Sequence, residues 1–326
     1  MIAFLGAGNI ATALALILGK RARRIALYSI EPEVTQAVNK KHQNLKYLPG
    51  HLLPASVVAT GDLHEALKGA RFVFVALPSH AVAEVLSAAR PWMEPGAIIV
   101  SLTKGIDPET FHPLILQQIE IMSREHQKHL VLLGGPAVAN ELASGQVTGL
   151  VAASHHRLSA EAVRQTLSHP QLHISLSDDT IGVGLCSALK NAYAICLGMC
   201  DGLQVSTNTK SLVYTTALQE MANIVEAAGG LRETVYGIAG VGDLYVSGNS
   251  FHARNRTYGQ KLVTSETRDV QKLGLTTVEG INTTMTALLL AKKRNVHVPL
   301  LETIKLCLSR QSRFSLPFEK YLRGRM

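Results

Sequence analysis

The segment Ala188-Leu189-Lys190-Asn191-Ala192 sets a lysine among small and apolar residues. On a helix, Leu185, Leu189, Ala192 and Cys196 fall on overlapping faces around it. An ammonium in such company is expensive unless it is paired or put to use. Desolvation and a second cation both favour the neutral amine, which suits a lysine to proton transfer. Asp243, in the glycine-framed turn Gly240-Val241-Gly242-Asp243-Leu244, can partner such a lysine. Lys104, in Thr103-Lys104-Gly105, follows the apolar run Ile98–Leu102 directly and supplies a cation at a strand's carboxyl end. Arg254 and Asn255, within His252-Ala253-Arg254-Asn255-Arg256, offer a fork of donors for an anion.

A second constellation stands at the amino terminus. Gly6-x-Gly8-x-x-Ala11 follows the apolar run Met1–Leu5 and opens a helical run over Thr12–Leu18. Gly6 allows the tight turn, Gly8 lets backbone approach a pyrophosphate, and Ala11 lets helix and strand pack closely. The helix start then faces the phosphates, so this pattern reads as a dinucleotide site. The loop Leu77-Pro78-Ser79-His80 follows the run Phe72–Ala76 and is expected to touch the same ligand, because strand carboxyl ends line the crevice of a parallel sheet. NAD or NADP is decided after the second strand, where Tyr28-Ser29-Ile30-Glu31 carries an acid and no immediate Lys or Arg, which leans toward NAD.

These residues need a scaffold, and the pattern around them describes one. Strands are expected at Met1–Leu5, Arg24–Tyr28, Val57–Thr60, Phe72–Ala76, Ile98–Leu102, Leu130–Leu133, Gly149–Ala153 and His173–Leu176. Helical runs lie between them, among them one opened by Pro32, Leu63–Leu67, Ala81–Ala89 and Pro108–Ile121. Alternating strands and helices imply an α/β doubly wound Rossmann sheet. Beyond about Gly182 strand-like runs vanish and helical patterns take over, at Leu185–Cys200, Thr209–Ala228, Val278–Lys293 and Pro299–Ser309. The expected division is a cofactor domain over residues 1–180 and an all-α substrate domain over residues 181–326.

Composition removes several function classes. The chain has 326 residues, 47% of them hydrophobic, which is enough for two cores. Net charge is +8, but the basic residues are dispersed and aromatics are only 5%, so a nucleic-acid surface is not expected. The basic tail Arg310–Arg325, with Phe314, Phe318 and Tyr321 between its charges, reads as a docked terminal segment. Charged residues make up 17%, a low share that favours self-association. No apolar run reaches the roughly 18–20 residues of a membrane span. The start MIAFLGAG lacks a basic n-region and a long apolar h-region, so a cytoplasmic protein is expected. Cys186, Cys196, Cys200 and Cys307 form no CxxC pair and read as small core residues, and no metal site is assigned.

Taken together, GxGxxA, LPSH, TKG, GGP, ALKN, the GxGD turn, RNR and VEG occur in an order that resembles the NAD(P)-dependent glycerol-3-phosphate dehydrogenases, from Ile2 to about Pro299. The resemblance implies a Rossmann domain followed by a helical substrate domain, a phosphorylated small-molecule substrate, NAD or NADP, and a homodimer. It implies that Lys190 transfers the proton at the substrate C2 oxygen, with Lys104, Asn191 and Asp243 positioning that oxygen and the lysine. Arg254 and Asn255 would hold the phosphate, Arg254 also standing near cofactor, and Ser247 stands where the family usually has a threonine. Glu279 would contact cofactor. Gly135, in the Gly134-Gly135-Pro136 turn, would let backbone approach the substrate, and Ala139 would leave room for the cofactor.

The chain departs from that family's pattern at defined places. Ala137 replaces a usual hydroxyl residue, and Ala253 stands where bacterial members have serine. Asn9-Ile10 replaces a Ser-Trp or Ser-Phe pair, and a basic residue often found after the second strand is replaced around Ser29 and Ile30. Each lost hydrogen bond costs on the order of 0.5–1.5 kcal/mol. Two alternatives stay open on the residues. One is a diverged dehydrogenase of the same build acting on another 2-hydroxy acid or phosphate ester. The other is a non-catalytic dinucleotide-sensing protein, which would bind cofactor without turnover.

Overall fold

In the computed structural model, which describes residues 1–251, 253–309 and 315–325, the chain forms two units. His252 and the stretch 310–314 of the expected docked tail lie outside the described residues. One unit comprises Met1–Lys104 and Leu114–Thr180, the other Gly105–Pro113 and Ile181–Met326.

The first unit is built on an eight-stranded sheet of β1 (Ile2–Leu5), β2 (Ile25–Tyr28), β3 (Val57–Thr60), β4 (Phe72–Val75), β5 (Ile98–Ser101), β6 (Leu130–Gly134), β7 (Thr148–Ala153) and β8 (Leu172–Ser177), ordered β3-β2-β1-β4-β5-β6-β7-β8. The strands β1, β4 and β5 are buried along their whole length, as unbroken apolar runs must be when both sheet faces are covered. Phe4 and Phe74 stack across the β1–β4 pair with centroids 4.6 Å apart. Its helices are α1 (Asn9–Gly19), α2 (Pro32–Lys41), α3 (Leu63–Leu67), α4 (Ser79–Ala89), α5 (Leu114–Gln118), α6 (Arg124–Lys128), α7 (Ala139–Ala143) and α8 (Arg157–Leu167). The strand order reverses between β1 and β4, the topological switch at which this fold class binds ligands.

The sheet is parallel except that β7 runs antiparallel to β6, to which it is joined through α7 and Gly145 (φ +83°). The helix expected over Pro108–Ile121 is present only from Leu114. Ahead of it, the Asp107 carboxylate accepts hydrogen bonds from the Glu109 and Thr110 N–H groups and the Thr110 hydroxyl, and Phe111 sits at φ +62°, so this stretch is a turn.

The second unit is helical: α9 (Thr180–Gly202), α10 (Thr207–Ala227), α11 (Arg232–Val235), a π-helical turn at Ile238–Gly242, α12 (Asp243–Asn249), α13 (Arg254–Thr264), α14 (Glu279–Lys293), α15 (Pro299–Leu308) and α16 (Leu316–Arg325). Against the expectation that no apolar run reaches span length, helix α9 is long and apolar enough to cross a membrane by length and composition, with a mean hydropathy of 1.4. That whole window is buried inside the protein, as befits a core helix. The four cysteines are buried and form no disulfide.

One buried carboxylate ties this core together. Glu220 on α10 accepts hydrogen bonds from the Leu300 N–H (2.6 Å) and Leu301 N–H (3.0 Å), which open α15, and from the Tyr193 hydroxyl of α9 (3.0 Å). Burial, then the Glu220 charge, pushes the Tyr193 phenol well up, so it remains a donor. A carboxylate at a helix start is also favoured by the helix dipole. In Glu220→Gln one acceptor becomes a donor facing an N–H group, and a loss of about 1–2 kcal/mol is expected in urea unfolding. An unchanged midpoint would mean the carboxylate is not structural.

Candidate functional site

The candidate residues fall into two groups, one in each unit. In the first unit, the chain leaves β1 at Leu5 and turns at Gly6, whose φ of +104° belongs to the region glycine favours. A Cβ there would stand 2.6 Å from the Ala76 carbonyl oxygen, so only glycine fits. The Gly6 N–H donates to the Tyr28 carbonyl at 3.1 Å, which fastens the turn to the end of β2. Gly8 is the N-cap of α1 and faces open space. No side chain caps this eleven-residue helix and its first turn carries no acid, so its leading N–H groups are left for an anion. Asn9 is exposed, Ile10 half-buried and Ala11 fully buried against the sheet. This turn fits a dinucleotide pyrophosphate: the backbone approach is open and the donors are unclaimed.

Other first-unit candidates sit at strand ends. Ser29 is buried just after β2, and its hydroxyl accepts from the Glu31 N–H at 3.2 Å. Pro78 is exposed and caps α4, directly after Ala76 and Leu77, which face Gly6. Lys104 is half-buried beyond β5, next to Thr103, whose buried hydroxyl has no hydrogen-bond partner among the described residues. Gly135 adopts φ +113° immediately after β6, and Ala137 and Ala139 follow half-buried, Ala139 opening α7.

In the second unit, Lys190 lies midway along α9 and is 5% exposed, while Asp243, the first residue of α12, is 1% exposed. The Lys190 ammonium donates to Asp243 Oδ1. Burying such a pair costs more than a surface pair unless its partners are well placed, so this one is costly to keep. The other carboxylate oxygen, Asp243 Oδ2, is buried with no hydrogen-bond partner among the described residues. The π-helical turn before Asp243 is held by the Tyr214 hydroxyl, which donates to the Val241 carbonyl at 2.7 Å. Burial pushes the Tyr214 phenol up to about 12, so it stays protonated as a donor.

A hydrogen-bond network of two asparagine amides and a glutamate adjoins the charged pair. Asn191 Nδ2 donates to Glu279 Oε2 at 3.1 Å, and Asn191 Oδ1 accepts from Asn255 Nδ2 at 2.9 Å. Asn255 Oδ1 accepts from the Gly280 N–H at 2.9 Å. Asn255 thus ties α9, α13 and α14 together, and its second amide hydrogen has no partner among the described residues. Arg254 is exposed at the first turn of α13, after the half-buried N-cap Ala253. Arg256 differs from it entirely: it is buried, and its Nε donates to Asp201 at 2.7 Å. Ser247 is half-buried one turn beyond Asp243 on α12.

The sequence reading missed Asn44 and Lys46. Asn44 is fully buried and donates to the Ala7 carbonyl at 2.8 Å and to the Thr12 hydroxyl at 2.9 Å, bracing the glycine turn from the segment after α2. An asparagine in a short polar stretch looks like any loop asparagine, and no local signal distinguishes it.

Comparison with known proteins places this geometry. Residues 1–160 match the family model described as NAD-dependent glycerol-3-phosphate dehydrogenase N-terminus, and residues 179–316 match the corresponding C-terminus model. A glycerol-3-phosphate dehydrogenase (NAD(P)+) of Bacillus velezensis is 35% identical over 305 residues, covering 93% of this chain and 88% of that protein. One from Alcanivorax borkumensis is 37% identical over 300 residues, with 91% and 86% covered. Among solved structures, the glycerol-3-phosphate dehydrogenase of Coxiella burnetii superposes with a TM-score of 0.89 at 29% identity, over 98% of both chains.

Proposed function

The chain belongs to the NAD-dependent glycerol-3-phosphate dehydrogenase family, and from that premise we propose how its residues carry the reaction. The protein is an oxidoreductase acting on a CH–OH donor with NAD or NADP, interconverting sn-glycerol 3-phosphate and dihydroxyacetone phosphate. When bound, a nicotinamide cofactor would supply hydride to the substrate's C2, or take it back in the opposite direction. The Lys190 ammonium gives its proton to the C2 oxygen as that oxygen gains charge, and in the opposite direction the neutral amine takes the C2 hydroxyl proton. Asp243 supplies the counter-charge that lets the ammonium be buried. Asn191, fixed between Glu279 and Asn255, orients the oxygen, and Lys104 stabilises its developing charge.

Arg254 and the second amide hydrogen of Asn255 hold the substrate phosphate. Gly135, Ala137, Ser247 and Ala253 shape the substrate's surroundings. Gly6, Gly8, Asn9, Ile10, Ala11, Ser29, Pro78, Ala139 and Glu279 serve the dinucleotide, with Arg254 and Lys104 near it. Residues 1–180 act as cofactor domain and residues 181–326 as substrate domain, in a cytoplasmic homodimer whose product feeds phospholipid precursor synthesis. The observation that carries this reading is the buried Lys190–Asp243 pair beside the Asn191–Asn255 network.

The test follows reduced-nicotinamide absorbance with purified protein and dihydroxyacetone phosphate, NADH and NADPH in separate cuvettes. Consumption that requires the substrate is expected. Cofactor binding without consumption would favour a changed substrate, for which Ala137 and Ala253 are the residues responsible, and turnover within a panel of phosphorylated and carboxylated ketones separates that reading from a cofactor sensor, which turns over none.

A further inference from the structure

We infer that this chain selects NAD(H) over NADP(H), and that Glu31 enforces the choice by holding Lys46 in a clamp of two carboxylates. The inference rests on the dinucleotide reading above and adds which cofactor the site accepts. In this fold class, the ribose 2′-hydroxyl or 2′-phosphate is met just past the second strand. Here β2 ends at Tyr28, paired with Leu5, so residues 29–31 leave the sheet beside the glycine turn. The chain sets there a buried Ser29, then Ile30, 80% exposed, which brings neither charge nor hydrogen bond, then Glu31.

A cation does reach this place. Asn44 fastens its segment to the glycine turn through the Ala7 carbonyl and the Thr12 hydroxyl, and its Oδ1 accepts from the Tyr47 N–H at 3.2 Å. Lys46 lies within that segment, and its ammonium donates to Glu31 and, at 3.2 Å, to Glu33. Both bonds hold the Lys46 pKa above its ordinary value, so it stays charged. The Tyr47 phenol also faces Glu31, which adds to the effect of burial in pushing that phenol up. One ammonium shared by two carboxylates leaves the cluster net negative. A ribose hydroxyl can donate to such a carboxylate, whereas a 2′-phosphate, itself a near-dianion at neutral pH, meets like charge and finds the nearby cation already claimed.

Fluorescence titration of the purified protein with NADH and with NADPH tests this, without need of a substrate. The wild type is expected to bind NADH tighter by about tenfold or more. Glu31→Gln removes one of the two carboxylates, leaves Lys46 held by Glu33 alone, and should move the NADH-to-NADPH affinity ratio toward NADPH by about tenfold. Lys46→Gln should move it further toward NADH. Equal or tighter binding of NADPH by the wild type would overturn the inference, and so would a ratio unmoved in Glu31→Gln. The pairs are partly exposed and contribute little to folding, so matching thermal midpoints are expected for both variants. Selective NADH binding without turnover of dihydroxyacetone phosphate would remove the substrate assignment and leave the selectivity standing. Binding of neither cofactor would overturn both.

Discussion

Lys190→Ala should cut turnover by roughly 10²–10⁴ while the affinity for NADH stays close to that of the wild type. The size follows from what a positioned proton donor contributes to a transition state. The retention of cofactor follows from the location of the glycine turn, which belongs to the other unit and is braced by Tyr28, Ala76 and Asn44. The variant has a second effect that must be separated from the first. Removing the ammonium strands a carboxylate that is 1% exposed, and breaking a buried pair in this way costs about 3–5 kcal/mol. The thermal midpoint should therefore fall along with activity. The double variant Lys190→Met, Asp243→Asn removes both charges, so it should recover much of the stability and none of the turnover. Normal turnover in a folded Lys190→Ala protein would remove the proton-transfer assignment. Recovery of turnover in the double variant would mean that the pair is only structural.

The second large effect is expected from a single methyl group. A Cβ on Gly259 of α13 would stand 1.8 Å from the Ile195 carbonyl oxygen of α9, and one on Gly198 of α9 would stand 1.9 Å from the Arg256 carbonyl oxygen of α13. The contacts are reciprocal and both obstacles are backbone, so relief requires the helices to separate. Gly259→Ala should therefore cost about 3 kcal/mol or more. Helix propensity acts in the opposite direction, favouring alanine by about 1 kcal/mol, which makes the sign informative. Gly324→Ala is the control, because that helical glycine has nothing near its missing Cβ, and a small gain is expected there. Activity should fall with Gly259→Ala even below the melting transition, since the same helices carry Asn191 and Asn255 and set their 2.9 Å hydrogen bond. A gain in thermal midpoint would show that α9 and α13 do not meet at these glycines.

Much of the architecture was legible in the chain because strand and helix signals are local. Apolar runs such as Phe72–Val75 and Ile98–Ser101 state that both faces of a strand are covered, and all eight expected strands are present with no end shifted by more than one residue. Where a side chain captured the backbone, the pattern misled: the Asp107 carboxylate made a turn of residues whose spacing suits a helix. The antiparallel placement of β7 was likewise hidden, because an apolar strand reads the same in either direction.

The site divides along the same line. The residues by themselves determined that a glycine turn opens a helix at the amino terminus, that Lys190 sits in apolar company, and that Asp243 stands in a glycine-framed turn. Each of these statements needs only neighbours a few positions away. Only the tertiary structure decided that Asp243, rather than another acid, meets Lys190, and that Asn255 spends its amide on Asn191 and Gly280. It also separated Arg254, exposed, from Arg256, buried on Asp201, although both belong to one short motif. It drew Lys46 to Glu31 through a buried Asn44. Such choices depend on which distant backbone segments approach one another, and that is set by the packing of whole helices and strands, not by any one segment's own preferences.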